Sequence, residues 1–222
     1  MTLIVLNFKT YRESTGQEAL RLAEICEDIS RDYSVQMVVV PQVADIHVIS
    51  EAVKIPVYAQ HVDGVGYGGF TGHVTAASLK AAGASGSLIN HSERRLKLAE
   101  VEASISGCRD AGLKTIVCTN NVATTKASAA LEPDYVAVEP PELIGSGIPV
   151  SKANPSVIRD SVDAVKHIAP NVGVLCGAGI THGEDLRSAL ELGSMGVLLA
   201  SGIIKAKDQR KALEDLVSGA EK

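Results

Sequence analysis

The sequence of 222 residues contains no tryptophan and only two phenylalanines, so aromatic side chains cannot fill its core. Aliphatic side chains must fill the interior instead, which favours alternating strands and helices over an aromatic-rich β-sandwich. The length suits one α/β barrel, a fold that commonly occupies roughly 200–250 residues. We therefore expect one barrel-sized domain spanning residues 1–222.

Basic clusters are also missing. The net charge is −5, and no run of lysine or arginine exceeds two residues. A protein that binds nucleic acid through its phosphates needs a concentrated positive surface. The sequence therefore predicts no nucleic-acid partner.

The four cysteines, Cys26, Cys108, Cys118 and Cys176, lie far apart and form no C-x-x-C pair. This spacing indicates neither a zinc site nor a redox pair, so we expect free buried thiols and no bound metal. No apolar run approaches the roughly 18–20 residues that a membrane-spanning helix needs. The sequence predicts no membrane partner and a cytoplasmic location.

Short apolar runs recur along the chain, and each is followed by a segment with helical spacing or turn residues. The predicted strands cover about residues 3–6, 35–40, 57–60, 86–89, 114–118, 135–138, 172–176 and 196–199. The first three predicted helices begin near residues 14, 44 and 75, and the fourth follows His91. The fifth ends near residue 131, the sixth covers 155–168, the seventh ends near residue 192 and the eighth begins near residue 208.

Eight strand–helix units, with strands apolar throughout, indicate parallel strands covered by helices. A (β/α)₈ barrel accommodates this count most simply, and a doubly wound open sheet is the alternative. In a barrel, every loop that follows a strand opens on the same face, where active sites of this fold lie. Residues far apart in sequence then converge there.

Three such residues carry complementary chemistry: Lys9, His91 and Glu139 each follow a different predicted strand. Abstraction of a proton next to a carbonyl needs a base, a donor to the developing oxyanion and a nearby positive charge. Glu139, His91 and Lys9 fit these roles in that order. We place His91 at a helix start, where a free backbone N–H can bind an imidazole nitrogen and favour the neutral ring.

The loops after the last two strands are small and glycine-rich: Gly177-Ala178-Gly179 and Ala200-Ser201-Gly202. Their backbone N–H groups can bind phosphate at the position where barrels of this kind do so. The segment from Pro140 to Pro149 has glycines at its centre and prolines at both ends, which suits a lid, although an exposed loop is the alternative. Residues 64–72 are either a solvated loop or an arm that docks on a partner.

These motifs resemble the triosephosphate isomerase family along essentially the whole chain. Asn7-x-Lys9 resembles the motif after the family's first strand, and residues 90–95, NHSERR, resemble its histidine segment. Glu139-Pro140 with Ile144-Gly145-Ser146-Gly147 resembles the family's base and lid, and Phe70-Thr71-Gly72 resembles its inter-subunit arm.

The resemblance implies cofactor-free interconversion of dihydroxyacetone phosphate and glyceraldehyde 3-phosphate, in glycolysis and gluconeogenesis. It implies Lys9, His91 and Glu139 as catalytic residues. It also implies substrate contacts, which we assign to Asn7, Lys9, Ile144, Gly145, Gly179, Ala200 and Ser201.

Several positions differ from the commoner family pattern: His73 replaces a glutamate that pairs with the residue matching Arg94, Pro141-Glu142 replaces an apolar lid hinge, and Gly179 replaces a serine. With the short chain, these features resemble archaeal members and imply a homotetramer rather than a dimer. Another phosphate-binding barrel isomerase and a silent sugar-phosphate-binding barrel remain alternatives.

Overall fold

Eight parallel strands form the centre of the computed structural model, which describes residues 1–145 and 147–220. Ser146 of the predicted lid and residues 221–222 of the predicted domain lie outside the described residues. The strands are β1 (Leu3–Asn7), β2 (Gln36–Val40), β3 (Tyr58–Ala59), β4 (Gly86–Ile89), β5 (Lys114–Thr119), β6 (Tyr135–Val138), β7 (Gly173–Cys176) and β8 (Gly196–Leu199).

The strands close into a barrel. Their order in the sheet is β2-β1-β8-β7-β6-β5-β4-β3, and every pairing is parallel. A parallel bridge between Val39 and Val57 joins β2 to the segment that enters β3. This closed ring of parallel strands confirms the predicted barrel and excludes the open doubly wound sheet.

Alternate residues of each strand belong to two different apolar clusters, as the two-residue period of a strand requires. Ile4 and Leu6 pack in the cluster that includes the surrounding helices, whereas Leu3 and Val5 pack in the barrel interior. Aliphatic residues dominate both clusters, which explains why the chain needs so few aromatic residues. The four cysteines are free and buried, as predicted.

Helices surround this barrel. In the described residues they are α1 (Gln17–Asp32), α2 (Ile46–Ala52), α3 (Ala76–Ala81), α4 (Leu98–Asp110), α5 (Val122–Ala129), α6 (Val150–Ala153), α7 (Pro155–Ile168), α8 (Gly183–Glu191), α9 (Ser201–Ile204) and α10 (Gln209–Ser218). Short 3₁₀ turns occupy Arg12–Ser14, Val43–Asp45 and Pro141–Leu143. Among the helices described, none has the length and apolar character that a membrane crossing requires.

Two predicted helix starts were wrong. The first helix was expected from about Ser14, but the Ser14 hydroxyl donates to the Phe8 carbonyl at 2.6 Å and α1 begins at Gln17. The helix after His91 begins only at Leu98, because residues 91–94 form a turn closed by the Arg94 N–H and the His91 carbonyl at 2.8 Å, and the Leu96 N–H donates to the Asn90 side chain at 2.9 Å. His91 therefore lies in a loop and not at a helix start.

Other boundaries differ for local reasons. The third strand was expected over 57–60 but contains only Tyr58 and Ala59. Val57 makes a single bridge to Val39, and the side-chain amide of Gln60 donates to the carbonyls of Lys9 and Val40. The four-residue helices α6 and α9 were not predicted, since they are too short to show a helical period.

Leu88 tests the packing of the barrel interior, where it is fully buried. We expect Leu88→Ala to lower the free energy of unfolding by about 2–5 kcal/mol, through lost burial and the cavity left behind. The matched control is Leu98→Ala, at a side chain that is 55% exposed. Denaturant unfolding at one protein concentration measures both, and equal losses in the two variants would contradict this packing.

Candidate active site

The carboxyl ends of β1, β4 and β6 place Lys9, His91 and Glu139 at the same rim of the barrel. His91 Nε2 lies 3.7 Å from Glu139 Oε2. The side chains of all three are largely buried, with 12% of Lys9, 8% of His91 and 7% of Glu139 exposed. A cation, an imidazole and a carboxylate thus share one poorly solvated region.

Lys9 occupies an uncommon backbone conformation, with a φ of 49°. Two neighbours hold it there: Asn7 Oδ1 accepts a hydrogen bond from the Lys9 N–H at 3.0 Å, and Gln60 Nε2 donates to the Lys9 carbonyl at 2.8 Å. Asn7, predicted as a substrate contact, therefore also fixes the lysine's backbone. Gln60 was not predicted as a site residue, because its place at the end of a predicted strand gave no indication of this contact.

The hydrogen bonding of His91 fixes its neutral tautomer. The Glu93 N–H donates to His91 Nδ1 at 3.2 Å, so the proton of the neutral ring lies on Nε2, which faces Glu139. Burial, followed by the charge of Lys9, lowers the pKa of His91 to about 4. The predicted backbone donor is present, although it comes from a turn and not from a helix.

Glu139 has the opposite shift. Burial raises its pKa to about 7, although the charge of Lys9 acts against this. Among the described residues, no hydrogen-bond partner satisfies its Oε2 atom. A Cβ on Gly177 would lie 2.8 Å from Glu139 Oε1, so the absence of a side chain at Gly177 leaves room for the carboxylate.

Glu93 was quoted in the histidine motif but was given no role in the sequence prediction. In the structure, Glu93 Oε1 lies 3.0 Å from Lys9 Nζ, and Oε2 lies 3.5 Å from His91 Nδ1. Its position two residues after His91 was the available signal. Glu93 balances the lysine charge beside the two other catalytic candidates.

A cavity of about 320 Å³ lies between these side chains and the neighbouring loops. It is lined by every residue predicted for the site, namely Asn7, Lys9, His91, Glu139, Ile144, Gly145, Gly179, Ala200 and Ser201. Tyr11 and Thr181 also line it and were missed. A larger cavity of about 470 Å³ lies at the opposite end of the barrel around Lys114 and Asp134, and it contains none of the predicted site residues.

The two small-residue loops lie next to one another in the lining of this cavity. Within residues 1–145 and 147–220, the backbone N–H groups of Gly179, Ser201 and Gly202 have no hydrogen-bond partner. Bare N–H groups from two loops can bind the oxygens of a phosphate. A Cβ on Gly202 would lie 2.9 Å from Thr181 Oγ1 and 3.0 Å from the Ile180 carbonyl oxygen, so a side chain there would push the two loops apart.

A protein-family model described as triosephosphate isomerase matches residues 2–219. The chain belongs to the triosephosphate isomerase family. It is 62% identical over 216 residues to a triosephosphate isomerase of Methanococcoides burtonii, covering 97% of this chain and 98% of that one. It is 59% identical over 194 residues to that of Methanosarcina barkeri, covering 87% of each. These archaeal relatives confirm the predicted archaeal-type resemblance.

A solved structure agrees on the fold. The crystal structure of triosephosphate isomerase from Bartonella henselae superposes with a TM-score of 0.76 and covers 98% of this chain and 99% of that one, at 20% sequence identity. At this identity the likeness supports the barrel architecture alone.

Arg94 and His73, the two positions of the altered family pair, each have a neighbour within the chain. Arg94, which the family resemblance pairs with the position held here by His73, lies 3.9 Å from Asp63 Oδ1. Asp63 also lies 2.9 Å from His61 Nε2 and accepts the Val74 N–H at 2.7 Å. His73 instead meets the Phe70 ring edge to face at 5.8 Å.

The neutral state of His91 can be tested directly. We expect nitrogen NMR to show the Nε2–H tautomer at pH 7 and no protonation of this ring until the pH nears its pKa of about 4. The His91→Gln variant assigns the signal by its loss. Protonation close to pH 6.5, the ordinary value for histidine, would contradict this description.

Proposed function

We propose that this chain interconverts dihydroxyacetone phosphate and D-glyceraldehyde 3-phosphate by proton transfer through an enediolate, without a cofactor. Family membership supports the reaction, and the arrangement of Glu139, His91 and Lys9 supports the roles. One observation carries the proposal: the buried Oε2 of Glu139, which has no hydrogen-bond partner among the described residues, lies 3.7 Å from the Nε2 atom of a neutral imidazole.

Glu139 is the base in this mechanism. With Oε2 uncommitted to any hydrogen bond among the described residues, the carboxylate is free to take a proton from the carbon next to the carbonyl. Its raised pKa makes it a stronger base than an ordinary glutamate. It also allows Glu139 to return the proton to the adjacent carbon, because the protonated form is accessible near neutral pH.

His91 and Lys9 stabilise the charge that develops on oxygen. The Nε2–H of His91 donates to the oxyanion, and the pKa of about 4 keeps the ring in its neutral form throughout the working pH range. Lys9 supplies a positive charge in a region with little water, where electrostatic attraction is strong. When substrate displaces Glu93 from Lys9 Nζ, the ammonium can turn to the enediolate and the phosphate.

The cavity suits a small anionic substrate. Its volume of about 320 Å³ lies at the small end of ligand pockets, which fits a three-carbon sugar phosphate. We assign phosphate binding to the N–H groups around Gly179, Ala200 and Ser201, with Asn7, Ile144 and Gly145 as further substrate contacts. The larger substrates of other phosphate-binding barrel isomerases need more room.

We also propose a homotetramer in the cytoplasm, with a dimer as the alternative assembly. The short chain and the resemblance to archaeal members described above favour the tetramer. Tyr67 and Phe70, 92% and 44% exposed, offer apolar surface on the segment predicted as an arm. Sedimentation equilibrium distinguishes the two assemblies.

A coupled assay with glyceraldehyde 3-phosphate, run without added metal or cofactor, tests the reaction and the base. We expect rapid isomerisation by the wild type and a loss on the order of 10²-fold in kcat for Glu139→Asp, because a shift of roughly 1 Å misaligns the base. Glu139→Gln should abolish turnover. KM should change far less in Glu139→Asp.

The matched control is Glu102→Asp on the exposed face of α4, which should keep wild-type turnover. Undiminished turnover in Glu139→Asp would remove Glu139 from the role of base. A folded wild type with no activity would favour the silent sugar-phosphate-binding barrel or another barrel isomerase.

The pH profile should report the raised pKa of Glu139. Protonation removes the base, so kcat/KM should fall about tenfold per pH unit below a pKa of about 7, while His91 stays neutral over the same range. The phosphate of the substrate titrates near pH 6, so the inflection from Glu139 must lie above that value. A profile flat from pH 8 to pH 6 would contradict this assignment.

A further inference from the structure

A buried carboxylate outside the catalytic group holds one of the phosphate-binding loops. Asp185, 2% exposed, lies in the first turn of α8, and its Oδ2 accepts the N–H groups of Thr181 at 3.1 Å and His182 at 3.0 Å. These two residues continue directly from Gly179 and Ile180. Asp185 thus fixes the end of the loop that offers the Gly179 N–H to the cavity.

The other oxygen of Asp185 pairs with a lysine from the lid side. Lys152 lies on α6, immediately after the predicted lid, and its Nζ is 3.2 Å from Asp185 Oδ1 and 3.6 Å from Glu184 Oε2. Burial raises the pKa of Asp185, but the bonds from His182, Thr181 and Lys152 outweigh it, and the net pKa lies below its usual value. The carboxylate is therefore charged whenever the enzyme works.

Two further contacts join the same segments. The Val150 N–H at the start of α6 donates to the Ala178 carbonyl at 3.1 Å. Gly179 has a φ of +73°, and a Cβ there would lie 2.0 Å from the Ile148 carbonyl oxygen. The end of the lid segment and the loop from Gly177 to Thr181 are therefore packed backbone to backbone, with the Lys152–Asp185 pair beside them.

We propose that Lys152 and Asp185 are positioning residues that hold the end of the lid and the Gly179 loop as one unit, and so set the site's affinity for phosphate. This inference rests on the function proposed above. Neither side chain lines the cavity, so each acts through the backbone that it holds. Loss of the pair should weaken phosphate binding and leave the proton-transfer groups in place.

The chain contains a matched control. Lys114 and Asp134 form a similar pair at the opposite end of the barrel: Lys114 Nζ lies 2.6 Å from Asp134 Oδ1, and Asp134 Oδ2 accepts the Thr115 N–H at 2.9 Å. Lys152 and Lys114 are 54% and 64% exposed. Lys152→Met and Lys114→Met therefore remove equivalent charges, one beside the phosphate loop and one far from it.

The experiment measures binding of inorganic phosphate by calorimetry and turnover of glyceraldehyde 3-phosphate. In Lys152→Met we expect the Kd for phosphate and the KM to rise about threefold to tenfold, with kcat within about twofold of wild type. Lys114→Met should leave all three values unchanged. Lys152→Arg, which keeps the charge, should restore most of the affinity.

Asp185→Asn supplies an independent test, because it keeps the shape of the side chain and removes its charge. We expect a loss of phosphate affinity at least as large as in Lys152→Met, and no further loss when both substitutions are combined, since the two residues act as one unit. If Asp185→Asn fails to fold, the comparison of Lys152→Met with Lys114→Met still decides the question.

The possible failures are distinguishable. Unchanged phosphate affinity in Lys152→Met, or equal losses in Lys152→Met and Lys114→Met, would overturn this inference while an active wild type upholds the proposed function. A fall in kcat with no change in phosphate Kd or KM would also overturn it. A wild type that binds phosphate but does not isomerise the triose would overturn the proposed function instead.

Discussion

The closed ring of parallel strands is the constraint on which the rest of this structure depends. Because all eight strands run in the same direction, their carboxyl ends meet at one rim, and loops separated by more than a hundred residues become neighbours. Lys9, His91 and Glu139 come together for this reason. The ring also explains the apolar strands, since both faces of each are covered.

Burial at that rim then sets two protonation states in opposite senses. The same loss of water disfavours the charged form of each group, so it raises the pKa of the Glu139 carboxyl and lowers that of the His91 imidazole. The backbone N–H of Glu93 directs the imidazole proton to Nε2. The Glu139 carboxylate can therefore act as a base while the His91 imidazole stays a neutral hydrogen-bond donor, both beside Lys9.

The end of the cavity to which we assign phosphate binding is built differently, from backbone rather than from side chains. Gly179 and Gly202 stand where a Cβ would collide with neighbouring backbone or side-chain atoms, so small residues there allow the loops to approach one another. Such loops have few side-chain contacts of their own to fix them. The ion pair between Lys152 and Asp185 lies beside the Gly179 loop. In our proposal it supplies that order and so affects the affinity of the site for phosphate.

The order of strands and helices, the barrel and the residues at the strand ends were predictable from the sequence, because apolar period and turn residues are local signals. His91, Glu139 and the Gly179 loop were placed at strand ends in this way, and they lie there in the structure. The roles of Gln60 and Glu93, the turn that carries the donor to His91, and the pairing of Lys152 with Asp185 depended on the tertiary structure. Each joins a side chain to an atom whose position is set by the packing of other segments, and local sequence carries no signal for such contacts.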